Sequence, residues 1–290
     1  MEPFVRRALL YGGGTVLLLA LVYGGFVYRA DPDLGTLLSS IDVQLRLAAA
    51  MPATDRDGRP LAAREQLLQQ ADGHLVTARH LAPQSPIVAE FEGFLCNQRG
   101  DHRAAAAHYR RARTLPGCTP ELRDTLIFNE ARMLAAAGDA AAALAVFDAN
   151  SSALQPVYQD QCRIESASLL HRVGRDTEAM QRLAPVLRSD RPMAWFGAGR
   201  VYAELGRVDE ADTALERAAA TVPIADYDRA RLKLAGGDVD SALRLLERAH
   251  RAAPAEVGRL LREDATVWQG LATDARFVRL TAPASATPGR

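Results

Sequence analysis

Residues 192–225 read PMAWFGAGRVYAELGRVDEADTALERAAATVPIA, and the spacing inside this stretch decides the fold. Apolar and small residues recur at helical intervals up to Gly206. After that glycine a second helical pattern runs from Val208 to Ala220 and stops at Pro223. The stretch therefore reads as two helices joined by a turn, with Gly supplying the left-handed residue that ends the first. Working outward, the same turn glycine appears as Gly100, Gly138, Gly174, Gly206 and Gly237, at intervals of 38, 36, 32 and 31 residues. Seven residues before each turn stands a small residue: Gly93, Ala131, Ala167, Gly199 and Ala230. Five residues after it stands Ala105, Ala143, Ala179, Ala211 or Ala242. Nine after it stands a large one: Tyr109, Phe147, Leu183, Leu215 or Leu246. Two antiparallel helices approach closely only where small side chains meet, and a large residue then fills the space between successive pairs.

A period near 34 residues with two helices per unit resembles the tetratricopeptide repeat. Residues 192–225 carry Trp195, Gly199, Tyr202, Gly206, Ala211, Ala218 and Pro223 in that family's positions. Residues 86–119 carry Gly93, Gly100, Asp101, Ala105, Tyr109 and Ala112, with Pro116 one place early. Asn150 and Val186 depart from the family's alanine, and the longer intervals require extended linkers around Pro116–Pro120 and Ser151–Pro156. The expected fold class is all-α: a tetratricopeptide-like helical solenoid, a right-handed superhelix, following one N-terminal transmembrane helix. Five repeats are expected over 86–254. Upstream, 29–85 reads as a linker and a degenerate N-terminal unit, helical over Arg64–Leu81 and around Leu34–Ala50. Downstream, 255–281 supplies capping helices through Leu260, Leu261, Trp268, Leu271, Phe277 and Leu280, because an end repeat cannot leave its apolar face open. A flexible tail, 282–290, closes the chain.

After a short flank, 1–7, residues 8–28 (ALLYGGGTVLLLALVYGGFVY) hold no charge and are long enough for one bilayer crossing. Arg6 and Arg7 precede this span and Arg29 follows it, so the positive-inside bias favours a cytoplasmic N-terminus. Tyr28 stands where signal cleavage wants a small residue, which favours an uncleaved anchor. Ala8, Gly12, Val16, Ala20 and Gly24 share one face and would admit a second helix. The expected location is a bacterial inner membrane, single-pass, with the C-terminal domain periplasmic.

The composition excludes other classes. The 290 residues carry 35 basic and 35 acidic side chains, a balance opposed to non-specific nucleic-acid binding. Lys233 is the single lysine, so 34 of the cations are arginines, and 54 residues are alanine. Cys96, Cys118 and Cys162 lack metal-site spacing; Cys118 and Cys162 lie one repeat apart, with free thiols the default and a bridge the alternative. His74, His80, His102, His108, His171 and His250 form no metal motif, and neither a phosphate loop nor a nucleophile elbow is present. The sequence gives no support to an enzyme, and no cofactor or metal is expected.

The resemblance implies a concave surface lined by the first helix of each unit. It places Phe128 with Arg132, Phe196 with Arg200, and Tyr227 with Arg231 there, each pair four residues apart on one helical face. Another unit contributes Ile164, Ser168, His171 and Arg172, and a further one Glu90, Phe94, Asn97 and Gln98. One reading is a groove of apolar anchors and guanidinium groups suited to a protein or peptide bearing hydrophobic and acidic residues. The other is that the aromatics pack between repeats and the arginines are ordinary surface. The Lys/Asn carboxylate clamp of the family's chaperone-tail binders is not reproduced. Functionally this implies a membrane-anchored scaffold or adaptor, an assembly or chaperone-like factor for cell-envelope complexes. The alternative is a permanent accessory subunit of a membrane enzyme complex.

Overall fold

A computed structural model describes residues 32–55 and 57–281. The segment 8–28 read as a membrane anchor, its face Ala8, Gly12, Ala20 and Gly24, and the tail 282–290 lie outside the described residues. No described helix is long and apolar enough to cross a membrane.

Fourteen α-helices and two short 3-10 turns make up the described chain, and among the described residues there is no strand beyond an isolated bridge between Thr54 and Pro60. The helices are α1 (Pro32–Ala50), α2 (Ala62–Leu81), α3 (Pro86–Gln98), α4 (His102–Thr114), α5 (Pro120–Ala136), α6 (Ala140–Asn150), α7 (Pro156–Arg172), α8 (Asp176–Leu183), α9 (Pro192–Glu204), α10 (Val208–Ala219), α11 (Ile224–Ala235), α12 (Val239–Ala252), α13 (Pro254–Glu263) and α14 (Ala275–Thr281). The chain divides into two compact units, the first ending at Tyr158 and the second beginning at Gln159.

Each pair is built by the same local chemistry. Proline opens α3, α5 and α9, where its missing N–H and fixed φ cost nothing. At the end of the first helix a glycine takes positive φ, as at Gly100 (79°) and Gly138 (83°), and the next N–H bonds back across the turn: Asp101 to Cys96 O, Asp139 to Leu134 O, Asp238 to Lys233 O. The aspartate after the glycine then caps the second helix, accepting from the N–H of Ala104, Ala142 and Ser241. In α8 and α10 an arginine stands there instead, and Arg175 and Arg207 each reach a glutamate three residues on.

The close approach falls where the spacing puts it. The five alanines after the turns are fully buried, and Tyr109, Phe147, Leu183, Leu215 and Leu246 are buried beside them. A Cβ on Gly93 would stand 2.7 Å from the Tyr109 ring, and one on Gly199 would stand 2.7 Å from Leu215 Cγ. In the first unit α1 contributes Leu38, Ile41, Leu45 and Ala48 to a core shared with Leu68, Leu75, Phe91 and Leu95, so α1 and α2 form a full helix pair. In the second, Val257, Leu261, Trp268, Leu271 and Phe277 cover Leu243 and Leu246 of α12.

A polar pattern accompanies this lattice. Eight residues before the turn glycines stand Glu92, Glu130, Ser166, Ala198 and Arg229, all buried. Glu130 accepts from Arg110 Nε at 2.7 Å and Arg113 Nε at 2.8 Å, both on the preceding α4. Glu92 lies 3.4 Å from Arg79 of α2, and within 3.3 Å of His108 and Arg111 of α4. Arg229 carries the opposite charge and reaches back to α10, donating to Asp212 at 2.7 Å and Glu216 at 3.1 Å.

Candidate functional site

In the first unit Phe128 on α5 is 3% exposed, its ring 5.3 Å from Phe147 and 5.7 Å from Tyr158. It is a core residue, because α5 turns this position toward α6 and the start of α7, and it offers no anchor to a ligand. Arg132, one turn on, is partly buried and engaged within the protein. On α3, Phe94 packs on the α1–α2 core, while Gln98 accepts from Arg64 of α2 through its carbonyl at 2.6 Å and its side chain at 3.1 Å. Glu90 is partly buried in the field of Asp42 and Arg46 of α1. Burial first, and Asp42 second, push its carboxyl up to about 7 against the pull of Arg46.

The second unit holds the more open constellation. Tyr227 of α11 is 1% exposed and belongs to the core: its hydroxyl accepts from Trp268 Nε1 at 3.0 Å and bonds the Asp264 carboxylate at 2.9 Å. Like Phe128, it is a packing residue where the sequence suggested an anchor. Phe196 of α9 remains partly exposed, with the Arg200 guanidinium 5.8 Å above its ring centroid. Ile164 of α7 packs on Gly197, where the missing side chain gives it room.

Polar contacts then link successive first helices. Ser168 of α7 donates to Glu204 of α9 at 3.4 Å, Arg200 of α9 faces Asp228 of α11 at 3.7 Å, and Arg231 of α11 faces Asp264 at 3.5 Å. Burial raises the Asp228 carboxyl above the usual range, against the opposing pull of Arg200 and Arg231. The two arginine side chains are 61% and 43% exposed, and their contacts are longer than direct hydrogen bonds, so donors remain for an incoming carboxylate. At the rim His171 Nδ1 lies 2.8 Å from Asp176, and Arg172 is exposed. The acids Asp228 and Asp264 were not legible as partners, since helix rotation decides which charges face each other.

The three cysteines are thiols; none forms a disulfide. Burial raises the Cys96 and Cys118 thiols, which disfavours thiolate chemistry there. Among the described residues no group of His, Cys, Asp and Glu side chains could hold a metal ion.

The tetratricopeptide repeat family model matches residues 87–111, 128–149, 192–217 and 223–248. The four matched stretches, which fall on α3–α4, α5–α6, α9–α10 and α11–α12, are similar to tetratricopeptide repeats. Such repeats present extended surfaces for protein partners, and no catalytic family is indicated. Among solved structures, the chain is similar to the apo form of RapI, at 14% identity and a TM-score of 0.50, over 95% of this chain and 79% of that one. It is also similar to the apo quorum sensor NprR from B. thuringiensis, at 12% identity and a TM-score of 0.49, over 95% and 85% of the two chains. For pilF of Pseudomonas aeruginosa the values are 14% and 0.46, over 78% and 98%. These likenesses are of fold. None of the curated proteins matches this sequence.

Proposed function

We propose that the protein is a scaffold that holds a segment of a protein partner along α7, α9 and α11, the segment carrying acidic and apolar side chains. The observation that carries this reading is the pair Arg200 and Arg231. Both are exposed, both stand 3.5 Å or more from their acids, and Arg200 lies over an accessible aromatic ring. A partner carboxylate meeting either fork gains a shorter, charge-assisted bond than the one it replaces. Phe196, Ile164 and the exposed Met193 supply the apolar contacts. With the uncharged stretch 8–28 as a signal anchor, the scaffold faces the periplasm from a bacterial inner membrane and serves assembly of envelope complexes.

Crosslinking in native membranes, with a photo-reactive residue at position 193, tests the reading. The double variant Arg200→Glu/Arg231→Glu is expected to lose crosslinked partners by about tenfold, as removal of charge-assisted bonds implies, with unchanged helical content. An unchanged set of partners would discard the groove. A compartment-specific reporter after residue 290 tests the topology, and a cytoplasmic signal would overturn the location.

A further inference from the structure

A different face of α11 carries a second constellation. Arg229 and Lys233 lie one turn apart on α11, and Arg244 and Arg248 lie one turn apart on α12. With Ser241 and Leu245 they line a cleft of about 280 Å³. The wall therefore presents four cations, a hydroxyl and one apolar side chain.

The carboxylates that hold these cations are not in the wall. Asp212 of α10 accepts from Arg229 and, at 2.7 Å, from Lys233, while Glu216 accepts from Arg229. Asp226 of α11 takes both forks of Arg248 and is itself only 3% exposed. Three acids thus hold three of the cations directly, while Asp238, at the turn before α12, lies in the electrostatic field of Lys233 and Arg244 without bonding either. Among the described residues Arg244 alone of the four makes no ion pair; its guanidinium donates to Ser241 Oγ at 2.8 Å on the same helix. Arg231, between Arg229 and Lys233 in sequence, turns instead toward Asp264, so this cleft is separate from the first-helix groove.

We propose that this cleft binds a tetrahedral oxyanion, a phosphate or phosphate monoester. A planar carboxylate is satisfied by one guanidinium fork, whereas donors here converge from two helices: Lys233 and Arg229 on one side, Arg244 and Arg248 on the other. Held cations need little reorganisation to receive the anion, and Arg244, which bonds no carboxylate directly, keeps guanidinium donors for it. Leu245 is the one apolar residue of the lining.

Phosphorus NMR of the full chain, titrated with inorganic phosphate and separately with O-phosphoserine, tests the site. Both probes should show protein-dependent broadening at millimolar concentration. The tighter of the two distinguishes a free ion from an ester, and either preference supports the site. Arg244→Ala should weaken binding about tenfold or more, Arg244→Lys should restore part of it, and Arg103→Ala, at an exposed position of α4 outside both sites, should leave it unchanged. Arg244 is exposed, so circular dichroism of its variants should match that of the parent. No broadening with either probe, or equal broadening with Arg244→Ala, overturns the proposal. So does displacement of phosphate by equimolar acetate.

Discussion

Glu90→Gln should make the protein more stable at pH 8 and leave it almost unchanged at pH 4.5. Glu90 lies on α3 with Asp42 and Arg46 across from it on α1, Tyr109 on α4 and Cys118 before α5. Its carboxyl moves from 4.5 to about 7, chiefly because burial disfavours the charged form. At about 1.36 kcal/mol for each tenfold change in proton affinity, that span is worth about 3 kcal/mol. Glu90 keeps part of its surface in solvent, so about half of that, roughly 1.5 kcal/mol, is the working figure. The folded state holds the proton more tightly than the unfolded one. The contribution is therefore fully present below pH 4.5, falls as pH rises, and is gone once pH has passed through about 7. Glutamine removes the titration and stays neutral. Urea denaturation at pH 4.5, 6 and 8 should show the difference between variant and parent growing toward about 1.5 kcal/mol, on the order of 5 °C in the melting temperature. Asp42→Asn in the parent should flatten the same slope. Equal stability at all three pH values, or a less stable Glu90→Gln at pH 8, would refute the reasoning and mean that Arg46 stabilises the carboxylate at least as much as burial and Asp42 penalise it.

Two further outcomes follow from buried polar groups. Tyr227→Phe removes the acceptor of Trp268 Nε1 and the partner of Asp264 at the C-terminal cap, and should cost about 1–2 kcal/mol in urea denaturation, with a shift in tryptophan emission. Glu130→Gln leaves Arg110 and Arg113 without their shared carboxylate; Arg110 is 57% exposed and rehydrates, so about 2 kcal/mol is expected. Glu130→Arg should cost clearly more than Glu130→Gln, and Arg110→Glu in that background should recover part of the loss. Equal costs for the two single variants would show that the charge at this position is immaterial.

The helix pairs were legible because their determinants are local or near-local. A positive φ demands Gly at the turn, and the distance between helices demands small residues at Gly93, Gly199 and the five alanines. The aromatic positions were not. Phe128 and Tyr227 share the spacing of Phe196, yet the first two face Phe147 and Trp268 while Phe196 keeps an open side. What differs is the neighbour each ring meets, Tyr158 or Trp268, and those lie 30 and 41 residues further along the chain. The buried charges were readable in principle: residues eight before each turn glycine immediately precede the small position and differ in chemistry from unit to unit. Their partners depend on helix rotation, which hydrophobic periodicity does not fix. The basic cleft had a sequence trace too, two pairs of cations at i, i+4 flanking one turn, but the same spacing serves ordinary solvated surfaces.

Buried charge also answers a difficulty that the small-residue lattice creates. Alanine at the same position of five helix pairs makes the pairs close-packed and nearly interchangeable, so apolar packing alone gives neighbouring registers similar energies. The residues eight before the turns differ where the alanines do not. In the first unit an acid on the first helix meets arginines of the preceding second helix, Glu92 with Arg79 and Glu130 with Arg110 and Arg113. At α11 the sign is reversed, with Arg229 meeting Asp212 and Glu216. Setting α11 against α4 would bring Arg229 to Arg110 and Arg113, and setting α5 against α10 would bring Glu130 to Asp212 and Glu216. Burying like charges together costs several kcal/mol, more than the difference between one alanine contact and another. The ion pairs add little net stability where their arginines are exposed; their effect is to penalise the wrong neighbour. That is the work left undone by a repeat whose packing residues are nearly all the same.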